Sequence, residues 1–341
     1  MKIKYDVNID LANQTKQELS KHLETNDKRV LNKLGAFASL YEMYFPDIKN
    51  PVLVLKTEEP GSKQKLAMEY DRIEGVCYDM INHLINDCIV MGAQPLTIQD
   101  AIICGKLDNN IINRCVKAMS EACKIQGCVL TGGETSEQPG IIEEGTYILT
   151  SSIVGIVDKD HIIDGQKIET GDVVLALESS GIHTNGYTLV RSIIDKVPSI
   201  LDCEIDGKPF IDAVLEPHRC YYQVLKDLFP TGDITGLAHI TGGGIKENLN
   251  RVLPKDKDAV IDLSMYRVSD LFHSLKKYGN VDPDEMLRTF NLGVGLVIVA
   301  KKENKESIIE HCQQYHVPCY EIGVIDKGKG NVITKGSIDW K

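Results

Sequence analysis

The chain has 341 residues, of which 43% are hydrophobic and 26% charged, and a formal net charge of -11. That length fits two domains, and the apolar fraction is enough for genuine cores. Net negative charge repels polyanions, which argues against nonspecific binding to nucleic acid or to anionic membranes; it leaves room for a nucleotide held by local cations and backbone amides.

Residues 52–55 (VLVL), between a proline and a charged loop, predict a short buried strand. Residues 79–90 predict a helix, because Met80, Ile81, Leu84, Ile85 and Cys88 recur at spacings of three and four. A clearer helix starts at Asn110, with Ile112, Val116, Met119 and Cys123 as one stripe and Gly127 as terminator. Residues 128–130 predict a strand that runs into a tight turn at Thr131-Gly132-Gly133-Glu134. Two further strands are predicted at 146–157 and 172–177, and the polar stretch between them holds the domain boundary. The second half continues with a turn and helix near 181–195, a glycine-rich turn and helix at 241–252, strands at 259–263 and 292–300, and a helix from about 303 to 315. This alternation predicts an α/β (α+β) chain in two domains, 1–164 and 165–341.

The ten cysteines form no C-x-x-C pair, and most lie in apolar runs, so they read as reduced, packed thiols. The N-terminal MKIKYDVNIDLANQTKQELSKHL lacks an apolar signal core, and no stretch reaches the roughly 20 apolar residues of a membrane helix. A cytoplasmic protein is expected.

Three glycine-bearing segments carry candidate chemistry. Glu58-Glu59-Pro60-Gly61-Ser62-Lys63 follows the VLVL strand. Its Gly-Ser-Lys end can offer amides, a hydroxyl and an ammonium to phosphate, but it is no P-loop, and taken alone it fits a surface turn with a solvated lysine better. Gly132-Gly133-Glu134 lets backbone approach a ligand beside a carboxylate suited to Mg²⁺, or else forms a tight turn with Glu134 as a helix cap. Thr241-Gly242-Gly243-Gly244 opens straight into a helix; three consecutive glycines are entropically expensive, and such a junction suits an anion. Residues 179–186 add His183 and Asn185 between glycines just past a strand end, where an imidazole can act as acid, base or phosphate contact. Asp87, on the 79–90 helix, becomes a metal ligand if it faces the turn containing Lys63.

Read in order, residues 104–108 (CGKLD), 131–135 (TGGET), 179–187 (SSGIHTNGY), 238–244 (AHITGGG), 250–254 (NRVLP), 279–282 (GNVD) and 288–295 (RTFNLGVG) resemble the phosphoribosylformylglycinamidine cyclo-ligase (AIR synthetase) family. The resemblance spans nearly the whole chain. It implies two α/β domains per subunit, with N-terminal strands pairing across a homodimer into a β-barrel. It implies ATP in the N-terminal half, near Glu58, Gly61, Ser62, Lys63, Gly132, Gly133 and Glu134. Glu58, Asp87 and Glu134 are then the expected Mg²⁺ ligands, and Lys63 neutralises phosphate. Thr241, Gly242, Gly243, Gly244, His183 and Asn185 are expected around a phosphoribosyl substrate, and His183, Lys63 and Asp87 as catalytic groups. The implied reaction is ATP-dependent cyclisation of formylglycinamidine ribonucleotide to aminoimidazole ribonucleotide in purine biosynthesis. The γ-phosphoryl group activates an amide oxygen, and an amidine nitrogen of the same molecule displaces it.

The phosphate-side turn departs from the family's Asp-Gly-Val-Gly-Thr-Lys. Glu59 adds negative charge where the family has glycine, and Pro60 removes an amide donor. Ala101-Ile102 replaces an aromatic pair, Cys77 replaces a glycine, and Gly35-Ala36-Phe37 thins a glycine-rich segment. These changes leave open two alternatives: a paralogue that activates another amide or carbonyl with ATP, and a catalytically inactive dimeric nucleotide-binding module. Retention of Lys63, Asp87, Glu134 and His183 together speaks against the second.

Overall fold

The computed structural model describes residues 9–32 and 36–340, so residues 1–8 and Gly35, read above, lie outside it. Two compact units emerge. One runs to Cys88 and resumes over Gln94–Asp158; the other takes Ile89–Ala93 and everything from Lys159 onward.

The first unit holds α1 (Ile9–His22), β1 (Pro51–Glu58), α2 (Lys63–Glu69), most of α3 (Ile73–Ile89), β2 (Gln94–Cys104), α4 (Asn109–Ile125), β3 (Val129–Glu137) and β4 (Tyr147–Asp158). Its sheet has the order β1-β4-β2-β3, antiparallel except for the β2–β3 pair. Asp108 caps α4 by accepting from the N–H groups of Asn110 and Ile111, and the stripe Ile112, Cys115, Val116, Met119 and Cys123 is buried. α4 packs on β3, and α1 packs on α4. One sheet face is therefore covered, with Leu96, Ile98, Ile102 and Cys104 of β2 buried on it. The other face is open at β1, where Leu53 and Leu55 are 49% and 69% exposed.

The second unit is built on a sheet of order β12-β9-β11-β5-β10-β8. Its strands are β5 (Val173–Glu178), β8 (Ile234–His239), β9 (Lys257–Asp262), β10 (Val294–Ala300), β11 (Cys319–Lys327) and β12 (Val332–Lys335), with β6 (Glu204–Ile205) and β7 (Lys208–Pro209) as a separate small hairpin. The helices are α5 (Tyr187–Lys196), α6 (Phe210–Val214), α7 (Tyr222–Leu225), α8 (Gly244–Leu249), α9 (Asp270–Gly279), α10 (Pro283–Thr289) and α11 (Lys305–Gln314). β10 is buried along its whole length and β5 up to Glu178, as expected of strands covered on both faces. Among the described residues no helix is long and apolar enough to cross a membrane.

Several sequence expectations shift. The 79–90 helix begins six residues earlier, at Ile73, and the 241–252 helix shrinks to the six residues Gly244–Leu249. β2, β8, β11 and β12 are strands that the sequence reading did not mark. The expected turn at 131–135 is absent: β3 continues through it, paired with β2 as far as Glu137↔Cys104. Gly133 serves close approach, since a Cβ there would clash with the Asp100 carboxylate, and Gly132 supplies a φ of +130. Gly133→Ala is expected to lower stability by about 1–3 kcal/mol through that overpacking, measurable as a shifted urea midpoint at unchanged m-value.

Candidate active site

In the first unit, strand register determines which polar groups meet. Glu58 pairs with Ser151, Ser151 with Asp100, and Asp100 with Gly133, so the four form one row across the sheet. Groups directly opposite one another in a sheet share a face. Lys56 and Glu58, two residues apart on β1, therefore share the helix-covered face, and His83 and Asp87, four apart on α3, share one helix face. The two pairs meet. Lys56 Nζ lies 2.8 Å from Glu58 Oε1 and 3.1 Å from Asp87 Oδ2, and His83 Nε2 lies 3.8 and 3.7 Å from the same two oxygens. Burial pulls the Lys56 ammonium down, but the two carboxylates outweigh it and hold it above its ordinary value.

Asp100 is a residue that sequence reasoning missed. Its carboxyl is buried, and desolvation pushes its pKa up to about 7. The signal was available: Asp100 occupies the inward phase of a strand whose other inward residues are Leu96, Ile98, Ile102 and Cys104. Between Glu58 and Asp100 sits Ser151, 2% exposed, whose Oγ has no hydrogen-bond partner. Glu58 and Asp87, drawn together around Lys56 with the orphaned Ser151 Oγ opposite Glu58, offer the oxygen donors that suit Mg²⁺, whereas the Asp100 carboxyl lies against Gly133, on the far side of β4 from Glu58. Glu134 does not join them. It lies on β3, with β4 and β2 between it and β1, and its partner is Ala101, so strand alternation turns it to the opposite face from Glu58.

Lys63 also departs from expectation. It is the first residue of α2, completely buried, with its Nζ 2.7 and 2.9 Å from the two carboxylate oxygens of Asp79 on α3. The phosphate-facing lysine expected here is thus an internal ion-pair member. Glu59 is exposed, directing its extra charge to solvent, while Pro60 is buried under the turn.

In the second unit, the 179–186 segment leaves β5 and holds His183 at φ +65, a conformation that non-glycine residues adopt only when their surroundings impose it. Asn291 does much of the imposing. Its Oδ1 accepts from Ser179 Oγ (3.1 Å) and the Gly293 N–H (2.9 Å), and its Nδ2 donates to the carbonyls of Gly181 (2.9 Å) and Ile182 (3.1 Å). The Ser180 N–H donates to His183 Nε2 at 3.2 Å, which puts the proton of the neutral ring on Nδ1.

The His183 ring stacks on His218, 3.8 Å between centroids at 19°, and His218 Nε2 meets His239 Nε2 at 3.0 Å. All three rings are buried, with nitrogens within 4.8 Å of one another. Stacking holds the His183 ring in place, and a hydrogen bond between ring nitrogens joins His218 to His239.

The glycine turn that follows His239 is clamped in the same manner. Asn248 Nδ2 donates to the carbonyls of Thr241, Gly242 and Gly244, and its Oδ1 accepts from Thr241 Oγ1. Gly244 lies so close to the Leu287 carbonyl that a Cβ would clash with it. Asn185 Oδ1 overhangs Gly242, 3.1 Å from where a Cβ would stand. The structure thus brings together His183, Asn185 and the 241–244 turn.

Residues 43–157 match the family described as AIR synthase related protein, N-terminal domain, and residues 169–336 match its C-terminal domain. Among curated proteins, the phosphoribosylformylglycinamidine cyclo-ligase of Neisseria gonorrhoeae is 40% identical over 327 residues, covering 95% of each chain. The chain belongs to the phosphoribosylformylglycinamidine cyclo-ligase family. The cyclo-ligase of Chromobacterium violaceum is 42% identical over 302 residues, covering 88% of this chain and 87% of its own. Membership of this family makes the chain an enzyme of the ligase class. The fold recurs more widely. A crystal structure of hydrogenase maturation protein HypE in complex with ATP has a TM-score of 0.68 at 17% identity, covering 95% of this chain and 91% of its own. A thiamine-monophosphate kinase from Stenotrophomonas maltophilia has a TM-score of 0.68 at 15% identity, covering 97% of each chain.

Proposed function

We propose that the chain catalyses ATP-dependent closure of the imidazole ring of aminoimidazole ribonucleotide from formylglycinamidine ribonucleotide, in purine biosynthesis in the cytoplasm. The observation that carries this reading is about 40% identity to named cyclo-ligases along 95% of the chain, through both units. The division of labour follows the expected domains, 1–164 for nucleotide binding and dimerisation and 165–341 for the phosphoribosyl substrate.

On this reading Glu58 and Asp87 would hold Mg²⁺, with Gly61, Ser62, Gly132 and Gly133 near the nucleotide. The bound ion neutralises charge on the transferring phosphoryl group. Phosphorylating the amide oxygen turns a poor leaving group into phosphate, and the amidine nitrogen then closes the ring by intramolecular attack. His183, oriented by the Ser180 N–H at its Nε2 and by stacking on His218, is the proposed acid–base group near the reacting centre. The amides of the Asn248-clamped turn and the Asn185 carboxamide are the proposed anchors for the substrate phosphate.

Release of ADP and phosphate that depends on formylglycinamidine ribonucleotide and yields the aminoimidazole supports the proposal. Turnover only with a different amide, or none with this substrate at millimolar Mg²⁺, overturns it. We further propose a homodimer formed through the open face of the first sheet, where Leu53 and Leu55 stand exposed. Leu55→Asp is expected to convert dimer to monomer in sedimentation velocity; an unchanged sedimentation coefficient would place the interface elsewhere.

A further inference from the structure

The Glu58–Asp87 pair already holds a cation of the protein's own. Lys56 Nζ bridges both carboxylates at 2.8 and 3.1 Å, and it reaches that position from the same strand as Glu58. Two carboxylates brought this close repel one another unless a positive charge stands between them, and Lys56 supplies that charge. Ser151, directly opposite Glu58 on β4, adds a buried Oγ without a hydrogen-bond partner on the same sheet face, a donor left over for a further ligand.

We propose that Lys56 is a tethered competitor for the divalent cation: its ammonium keeps Glu58 and Asp87 paired, and must leave before those carboxylates can hold a metal ion. The proposal rests on reading these two residues as metal ligands. Displacement requires somewhere for the ammonium to go. A polyphosphate is the anionic partner that the proposed reaction brings to this strand end, so nucleotide arrival and metal capture become one coupled event. The coupling is reciprocal: whatever draws Lys56 away tightens metal binding, and metal binding makes Lys56 available to phosphate. Metal ions are thereby held weakly before nucleotide arrives.

Direct titration of Mn²⁺ into the full-length protein without nucleotide, followed by the loss of free Mn²⁺ signal in electron paramagnetic resonance, tests this. Lys56→Gln keeps length and polarity but removes the charge, and is expected to bind one Mn²⁺ at least about ten-fold more tightly than wild type. Lys56→Gln/Asp87→Asn should lose that gain. Lys65→Gln is the charge control, because Lys65 is an exposed helix lysine paired only loosely with Glu69 at 3.8 Å, and it should leave Mn²⁺ affinity unchanged.

The proposal is overturned if Lys56→Gln binds Mn²⁺ no better than wild type, or if Lys65→Gln gains as much. A thermal midpoint within a few degrees of wild type excludes unfolding as the origin of any change. Because the readout needs neither nucleotide nor turnover, its failure leaves the ring-closure reading untouched; failure of the ADP-release assay likewise leaves the Mn²⁺ result standing.

Discussion

Replacing Lys63 by methionine is expected to lower the free energy of unfolding by about 3–5 kcal/mol, because it removes the ammonium counter-charge of the buried Asp79 carboxylate. Both side chains are buried, and the ammonium contacts both carboxylate oxygens. The desolvation already suffered by Asp79 is not recovered when the ammonium goes. Lys63→Met/Asp79→Leu should regain most of the loss, since a buried ion pair exchanged for packed apolar groups is often neutral. Urea denaturation of the single and double variants measures both. A solvated phosphate ligand at position 63 would give the opposite pattern, with stability intact and turnover lost. If Lys63→Met unfolds at the wild-type urea midpoint, the internal role assigned here is wrong.

The second large effect is expected at Asn291. Asn291→Ala removes four hydrogen bonds at once and leaves the carbonyls of Gly181 and Ile182 without their shared donor, which should cost about 2–4 kcal/mol. The functional consequence should exceed the structural one. His183 sits at φ +65 because the segment around it is held on both sides, and without Asn291 it has reason to relax. A misplacement of about 1 Å in a reacting group can reduce turnover about 100-fold, so kcat is expected to fall by that order while the protein remains folded. Asn248→Ala frees the 241–244 turn instead, and should raise KM for the phosphoribosyl substrate more than it lowers kcat. Equal effects of the two variants on kcat and KM would refute the separate roles given to the two loops.

What could be read in the sequence depended on whether a residue's partner was local. The buried runs of β5 and β10 and the stripe of α4 announce themselves because a single segment contains the whole pattern, whereas the apolar run of β1, expected to be buried, leaves Leu53 and Leu55 exposed. β2 was missed because Gln94, Gln99 and Asp100 interrupt its apolar run, and its inward phase is visible only once the strand is assumed. The 131–135 segment looked like a turn because paired glycines usually mark one, whereas here they let β3 pass beneath Asp100.

The site behaved alike. Glu58, Asp87, His183, Asn185 and the 241–244 turn stand out in the sequence by their local settings, and the structure groups Glu58 with Asp87 in one unit and Asn185 with the 241–244 turn in the other. Lys63 is an internal ion-pair member for a reason no local pattern records. Asp79 lies sixteen residues beyond Lys63, and only the packing of α2 beside α3 makes the two meet. Asn291 lies 112 residues from Ser179, and its clamp was invisible until β5 and β10 lay side by side.

The five residues Ile89–Ala93 belong to the second unit although the chain on both sides belongs to the first. The Ile163 N–H donates to the Met91 carbonyl, and Ala93 is fully buried. A ribosome therefore delivers this segment some seventy residues ahead of the first of its partners, at about 5–20 residues per second, and it must wait several seconds for them. During that interval Ile89, Met91 and Ala93 are apolar and unsheltered, a natural stop for a holdase chaperone. Nor can one proteolytic cut near Asp158 free two intact halves, because the fragment ending there carries away a piece of the other's core.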